Sequence, residues 1–122
     1  MNITNCLHTA ILVSNLAKAE DFYGNTLGLL PAANRSAKFP GTWYQIGNHQ
    51  IHLIVRQDYK NQPCNQEKWG RNPHLAMAVA NLELAKTTIQ KQGYPIQLSA
   101  SGRAAFFTQD PDGNIIELSQ LH

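Results

Sequence analysis

The chain has 122 residues, of which 43% are hydrophobic and 15% are charged, as is ordinary for one compact globular domain. Its formal net charge of +2 is too small to indicate a nucleic-acid partner, and the basic residues form no stripe. No apolar run approaches the roughly 18 residues of a membrane span, and residues 1–6 lack the basic and apolar regions of a signal peptide. Cys6 and Cys64 are too few for a disulfide framework or a thiolate zinc site. We therefore expect a soluble, cytoplasmic protein.

The first half of the sequence predicts a strand, a helix and three more strands. Cys6–Val13 alternates between two faces, as a strand does. Asn15 can then cap a helix that begins at Leu16, and Gly28 stands where a helix ends in the left-handed conformation. The three strands that follow are expected near residues 29–33, 42–46 and 50–55.

The second half predicts the same order of elements after a polar linker at residues 56–72. Pro73–Val79 is the expected strand, Asn81 the cap and Leu82–Gln92 the helix. The last three strands are expected at residues 95–100, 103–108 and 115–119. We therefore predict a single α+β domain over residues 1–122, made of two βαβββ modules at residues 4–55 and 73–120.

The two halves also repeat one another in sequence. His8-Thr-Ala-Ile-Leu-Val-Ser-Asn-Leu16 matches His74-Leu-Ala-Met-Ala-Val-Ala-Asn-Leu82 at an offset of 66 residues. Downstream, Ile51-His52-Leu53 matches Ile116-Glu117-Leu118 at an offset of 65 residues. Because the repeat carries polar residues along with apolar ones, it indicates a site shared between the halves.

Four ionisable residues lie one position out of phase with the apolar set of their strands: His8, His52, His74 and Glu117. If the helices cover the apolar faces, the other faces form a cupped surface that holds these side chains. Imidazole nitrogen and carboxylate oxygen suit divalent Zn, Ni, Co, Mn or Fe, and four protein ligands leave a position for substrate oxygens. The sequence therefore predicts a divalent-metal site.

Each candidate residue also has a simpler interpretation. A single histidine on a strand is more often hydrogen-bonded or at the surface than a metal ligand, and Glu117 could pair with an arginine. Further residues are candidates for a substrate pocket: Trp43, Arg56, Arg103 and Phe106. Of these, Trp43 and Phe106 could instead belong to the core.

The sequence also resembles the vicinal oxygen chelate superfamily, which includes glyoxalase I, bleomycin-resistance proteins, extradiol dioxygenases and methylmalonyl-CoA epimerase. The resemblance rests on the stretches His8–Leu29, His74–Val79 and Phe107–Leu118, with Phe22-Tyr23 and the Asp110-Pro-Asp-Gly-Asn114 turn as its most characteristic parts. It implies paired βαβββ modules around a U-shaped cavity and metal ligands from the first and fourth strand of each module. By position, those ligands are the same four residues.

Departures from the better-known members limit what the resemblance implies about the reaction. Glyoxalase I carries a glutathione-binding arginine where this chain has Leu12, an asparagine at Arg56 and a glutamate ligand at His52. Dioxygenases and fosfomycin-resistance enzymes use two histidines and one glutamate, whereas epimerases use a glutamine at the position of His52. The resemblance therefore implies a metal-dependent lyase, isomerase or epimerase with Glu117 as base, and a dioxygenase less well.

A second hypothesis is a protein that binds a small molecule without catalysis. Bleomycin-resistance-like members sequester an aromatic drug between dimer subunits and need no metal. Aromatic residues that could line such a groove are Trp43, Tyr44, Trp69 and Phe106. The enzyme hypothesis is favoured because all four ligand positions are kept. Under both hypotheses we expect a homodimer, with the site formed within one chain or between two.

Overall fold

The computed structural model describes residues 1–33, 35 and 38–121 and divides the chain into two compact units, Met1–Tyr59 and Lys60–His122. These units are called module one and module two below. Module one contains β1 (His8–Val13), α1 (Leu16–Glu20), a π-helical turn (Asp21–Thr26), β2 (Leu30–Pro31), β3 (Gly41–Ile46) and β4 (His49–Val55). Module two contains a 3₁₀ turn (Trp69–Arg71), β5 (Leu75–Ala78), α2 (Leu82–Lys91), β6 (Ile96–Leu98), β7 (Ala105–Gln109) and β8 (Ile115–Ser119).

The two modules have the same sheet topology. The strand order is β1-β4-β3-β2 in module one and β5-β8-β7-β6 in module two. In each sheet the first and fourth strands pair in parallel and the others pair antiparallel. The predicted α+β class with two βαβββ modules is therefore confirmed. Within the described part of the chain, no helix is both long and apolar enough to cross a membrane.

Both helices begin at the predicted asparagine caps. The Asn15 side chain accepts a hydrogen bond from the backbone N–H of Lys18 at 3.0 Å, and Asn81 does the same for Leu84 at 2.9 Å. Such a cap stabilises a helix by about 1 kcal/mol because it satisfies an otherwise unpaired donor. The first helix widens into the π-helical turn, where the N–H of Leu27 bonds to the carbonyl of Phe22.

One face of each sheet carries the core. In module one the side chains of Val13, Leu53 and Phe22 are fully buried. The alternate residues of β1 are exposed. In module two Phe106 and Leu118 occupy the corresponding face. The opposite faces are left for polar side chains, as the strand phase predicts.

Part of the segment predicted as a linker is packed within module two. Residues 60–72 belong to that unit, and they contain the 3₁₀ turn. Asn72 is buried there, and its amide nitrogen donates to the carbonyls of Asn65, Lys68 and Trp69. Because these contacts link a side chain to the backbone of a whole loop, they leave no periodic pattern in the sequence.

Candidate metal and ligand site

The candidate residues of module one form a stack of three rings. His52 lies between Trp43 and His8, with centroid distances of 4.0 Å to each ring and interplanar angles of 5° and 11°. The strand register explains this stack, because Trp43 on β3 is directly opposite His52 on β4, and Ala10 on β1 is opposite its other side. We call these three residues together with Gln50 the module-one cluster.

A chain of amide hydrogen bonds fixes the tautomer of His52. The Gln45 side-chain nitrogen donates to the carbonyl of Gly47 at 2.7 Å, and Gln50 Nε2 donates to Gln45 Oε1 at 2.7 Å. Gln50 Oε1 is then 2.8 Å from His52 Nε2 and can only accept. Since the carbonyl at the end of the chain cannot donate, His52 carries its proton on Nε2 and keeps a lone pair on Nδ1.

Burial is the main reason why the pKa of His52 lies below its ordinary value, and the neighbouring His8, Arg35 and His49 lower it further. A neutral imidazole is the form that binds a metal. The stacked geometry limits the fit, however, because parallel rings direct their in-plane lone pairs in parallel. One of the two imidazoles must therefore rotate before both can bind one ion.

Module two brings His74 and Glu117 together. His74 Nδ1 donates to the carbonyl of Asn72 at 2.7 Å, which in the neutral imidazole leaves the lone pair on Nε2, and this atom lies 3.4 Å from Glu117 Oε1. Two ligands bound to one ion at about 2.1 Å lie roughly 3.0–3.4 Å apart. The backbone contact of Nδ1 is the orientation that metal-binding histidines usually have. The distance between these two atoms is therefore compatible with both of them binding one divalent ion.

Glu117 has further partners within module two. Arg103 Nη2 lies 3.3 Å from Glu117 Oε1, and the Ser119 hydroxyl donates to Oε2 at 2.8 Å. The simpler interpretation, in which Glu117 pairs with an arginine, is therefore realised alongside its contact with His74. Phe107 packs edge-on against His74 at a centroid distance of 5.4 Å. We call His74, Arg103, Phe107 and Glu117 the module-two cluster.

Each cluster supplies two of the four predicted metal donors. His8 and His52 lie together in module one, and His74 and Glu117 lie together in module two. Across residues 1–33, 35 and 38–121, no group of three or more His, Cys, Asp or Glu side chains is arranged to hold a metal ion.

The predicted pocket residues are placed differently from one another. Trp43 belongs to the module-one stack and Arg103 contacts Glu117. Arg56 is exposed and pairs with Asp58 at 2.9 Å, and this hydrogen bond lowers the pKa of Asp58. Phe106 is fully buried opposite Leu118 in the core, so its assignment to a pocket is corrected.

Phe107, rather than Phe106, lies beside Glu117 and lines a cavity. It is directly opposite Glu117 on β8 and lines a cavity of about 720 Å³ in module two. Sequence reasoning missed it because two adjacent phenylalanines carry no alternation. Counting back from the turn would have found it, since Gln109 pairs with Ile115 and the next alternate pair is Phe107 with Glu117.

One wall of this cavity is the segment that was predicted as a linker. Gln97 on β6 accepts from the N–H of Trp69 at 2.9 Å and donates to the carbonyl of Glu67 at 2.8 Å. Gly70 packs so closely on the Phe107 ring that a Cβ atom there would lie 2.6 Å from Cζ. This segment, called the wall below, is therefore held to β6 by hydrogen bonds and to β7 by packing.

Comparison with known proteins agrees with this architecture. The family model for the Glyoxalase/Bleomycin resistance protein/Dioxygenase superfamily matches residues 6–118. A Vibrio cholerae protein named "Probable lactoylglutathione lyase" is 26% identical over 93% of this chain and 88% of its own. The solved structure of a glyoxalase family protein from Bacillus anthracis has a TM-score of 0.78 and 25% identity, and the match covers 100% of this chain and 98% of that one.

A Streptomyces antibiotic binding protein has the same fold, with a TM-score of 0.70 at 22% identity and coverage of 100% of this chain and 99% of its own. The family-model match extends over nearly the whole sequence and includes all four predicted metal donors. This chain therefore belongs to the glyoxalase/bleomycin resistance protein/dioxygenase superfamily.

Proposed function

We propose that the chain is a divalent-metal-dependent enzyme that acts on a small substrate with adjacent oxygens, as a lyase, isomerase or epimerase. One observation carries the proposal: both modules repeat the same arrangement of two donors and one ring. In each, a histidine precedes or begins the first strand, and the second donor lies on the fourth strand opposite the residue two positions after that histidine. An aromatic residue of the third strand lies directly beside the second donor.

In the proposed site His8, His52, His74 and Glu117 hold one ion. The bound ion would supply a Lewis acid that polarises substrate oxygens. Glu117 is the only carboxylate of the set, and we assign it the role of accepting a proton from the substrate and returning it. Arg103 and Ser119 hold this carboxylate in position through its two oxygens.

The activity in the name of the Vibrio cholerae relative is not carried over to this chain. Leu12 and Arg56 stand where the resemblance to glyoxalase I implies glutathione-site residues, and His52 stands where it implies a glutamate. Arg56 is also engaged with Asp58. We therefore propose a small substrate other than a glutathione adduct.

We also propose a cytoplasmic homodimer, in which the two donor pairs meet within one chain or between two. Mixing the His8→Ala and Glu117→Ala proteins after separate purification distinguishes these arrangements. If the pairs meet between chains, mixed dimers contain one site with all four donors and regain metal binding. If they meet within one chain, every site in the mixture lacks a donor and metal binding stays low.

Metal analysis of the purified protein tests the proposed site. We expect bound divalent metal that is lost in His74→Ala, because removing one of four ligands weakens binding by about a hundredfold or more. His49→Gln is the matched control, since His49 is an imidazole of module one outside the proposed set that contacts the Thr9 hydroxyl. Absence of metal, together with no uptake on reconstitution, would contradict the proposal.

A second candidate function is the binding of a planar aromatic molecule, and the ring stack in module one favours it. Trp43, His52 and His8 stack in direct contact at 4.0 Å, so a planar molecule would extend the stack at an outer ring face rather than enter between the rings. The antibiotic binding protein of the same fold gives this candidate further support. Metal-stripped protein stabilised by bleomycin in a thermal-shift assay, with the shift lost in Trp43→Leu, would favour this candidate over catalysis.

A further inference from the structure

The side chains that line the cavity of module two carry a small excess of positive charge. Its lining includes three cationic side chains, Lys68, Arg71 and Arg103, and two carboxylates, Glu67 and Glu117. Glu117 already contacts His74 and Arg103. Within residues 1–33, 35 and 38–121, neither Lys68 nor Arg71 takes part in an ion pair. The cavity therefore contains more cationic groups than the protein itself neutralises.

Two of these cations, Lys68 and Arg71, lie on an anchored wall rather than on a free loop. Gln97 binds the backbone on both sides of Lys68, and Asn72 binds the carbonyl of Lys68 itself. Gly70 packs closely against the Phe107 ring of β7, so the wall lies near that strand. A side chain on such a wall loses less conformational freedom when it binds a ligand than one on a mobile segment.

Hydroxyl groups line the other side of the same cavity. Ser99 and Ser101 share a hydrogen bond of 2.8 Å, and Arg103 Nε donates to the Ser101 hydroxyl at 3.1 Å. The guanidinium therefore uses Nε and Nη2 within the protein, and in the described residues Nη1 has no partner. Arginine has five N–H donors, so this group can bind an anion while it holds Glu117 and Ser101.

We propose that this cavity binds the substrate through an oxyanion, a carboxylate or phosphoryl group, held between Arg71 and Arg103 with hydrogen bonds from the serine hydroxyls. Such a group has the planar or tetrahedral oxygens that guanidinium donors match. His74, Phe107 and Glu117 line the same cavity, so a ligand anchored there lies within reach of the carboxylate to which we assign the proton transfer. This inference names a substrate class for the proposed enzyme and rests on that proposal for the role of His74 and Glu117.

Titration of metal-stripped protein with inorganic phosphate and, separately, with acetate tests the inference. The readout is the shift of backbone amide NMR signals at constant ionic strength. We expect saturable shifts confined to residues 67–71 and 99–103. A tighter response to phosphate identifies a phosphoryl ligand, and a tighter response to acetate identifies a carboxylate.

Three variants give the titration its controls. Arg71→Ala and Arg103→Ala each remove one cation from the cavity, and we expect each to weaken binding about tenfold, as for one charge-assisted hydrogen bond. Lys91→Ala removes the same charge from the exposed end of α2 and should leave the affinity unchanged. Circular dichroism confirms that each variant is folded.

The inference is overturned if neither anion gives saturable shifts, or if Lys91→Ala weakens binding as much as the cavity variants do. Both outcomes are independent of the metal, because the protein is stripped before titration. Failure here therefore leaves the metal site standing, whereas failure of the metal analysis leaves the anion-binding result standing.

Discussion

The two modules share one topology but surround their fourth-strand donor in different ways. His52 is enclosed by rings on both faces, and its Nε2 is bound by Gln50. Glu117 has one ring beside it, and its carboxylate contacts His74 and the exposed side chain of Arg103, all of which line a cavity. Module one holds a neutral side chain in one tautomer, whereas module two presents a charged side chain to a space that can admit a ligand.

The equivalent positions of the two modules therefore differ in the residues that surround their fourth-strand side chain. The position equivalent to Gln50 in module two is Ile115. The Ile115 side chain cannot form a hydrogen bond with Glu117, as Gln50 does with His52. Module one has no counterpart of the Gln97-anchored wall among its described residues. Under the proposed function, the hydrogen-bonded imidazole would hold an ion through Nδ1 once one ring of the stack has rotated, and the carboxylate beside the cavity would move a proton on a bound substrate.

The largest expected effect comes from disturbing the wall that only module two has. Gly70→Ala would place a Cβ atom 2.6 Å from the Phe107 ring, so the ring or the wall must shift. We expect the free energy of unfolding to fall by about 2 kcal/mol, as for other overpacked sites. Urea unfolding followed by circular dichroism measures it.

The control for this prediction is Gly24→Ala in module one. The nearest atom to its Cβ would be the Tyr44 hydroxyl oxygen at 3.3 Å, a milder contact than the 2.6 Å at Gly70. We expect a change within about 1 kcal/mol, because alanine also favours the helical backbone at this position. Equal losses in the two variants would mean that the wall is not packed as tightly as the distance indicates.

How much the sequence predicts depends on how local the cause is. The caps at Asn15 and Asn81 and the end of the first helix at Gly28, with φ of +74°, follow from neighbouring residues and were predicted. The wall of module two was not predicted, because Gln97 holds it from 28 residues away. Phe107 was missed for the same reason, since only its partner across the sheet distinguishes it from Phe106.

The candidate site was predicted in part. Strand phase places His8 beside His52 and His74 beside Glu117, and the structure brings each of these pairs together. Their common use in one metal site stays a prediction. The glutamine chain that orients His52 was not predicted, because Gln45 is brought to Gln50 only by the cross-strand register.

A smaller effect is expected when Gln50 of module one is replaced by isoleucine, the residue at the equivalent position of module two. Gln50→Ile removes the acceptor from His52 Nε2, so the proton is no longer held on that nitrogen. We expect a mixture of tautomers in the ¹⁵N NMR spectrum of the metal-free protein. Divalent-metal affinity should fall about tenfold, as is usual when the partner of a metal-binding histidine is lost.

Gln57→Ile is the matched control, because it makes the same change at an exposed position after β4. It should leave both the tautomer and the metal affinity unchanged. A His52 spectrum that is identical in Gln50→Ile and in the unaltered protein would show that the amide chain does not select the tautomer, and the contrast between the modules would lose its basis.

The smallest expected effect is a pH dependence that arises from Tyr44 in module one. Burial, with a smaller contribution from Glu20, raises the pKa of Tyr44 from 10.0 to about 12. The unfolded chain therefore loses this proton first, so the stabilising contribution is complete below pH 10 and declines as the pH rises toward 12. Tyr44→Phe should make the loss of stability between pH 8 and pH 11 shallower in urea unfolding.

The equivalent residue opposite β8 is Thr108, which does not titrate, so Thr108→Val should change stability equally at both pH values. A profile for Tyr44→Phe as steep as that of the unaltered protein would assign the alkaline loss to other groups.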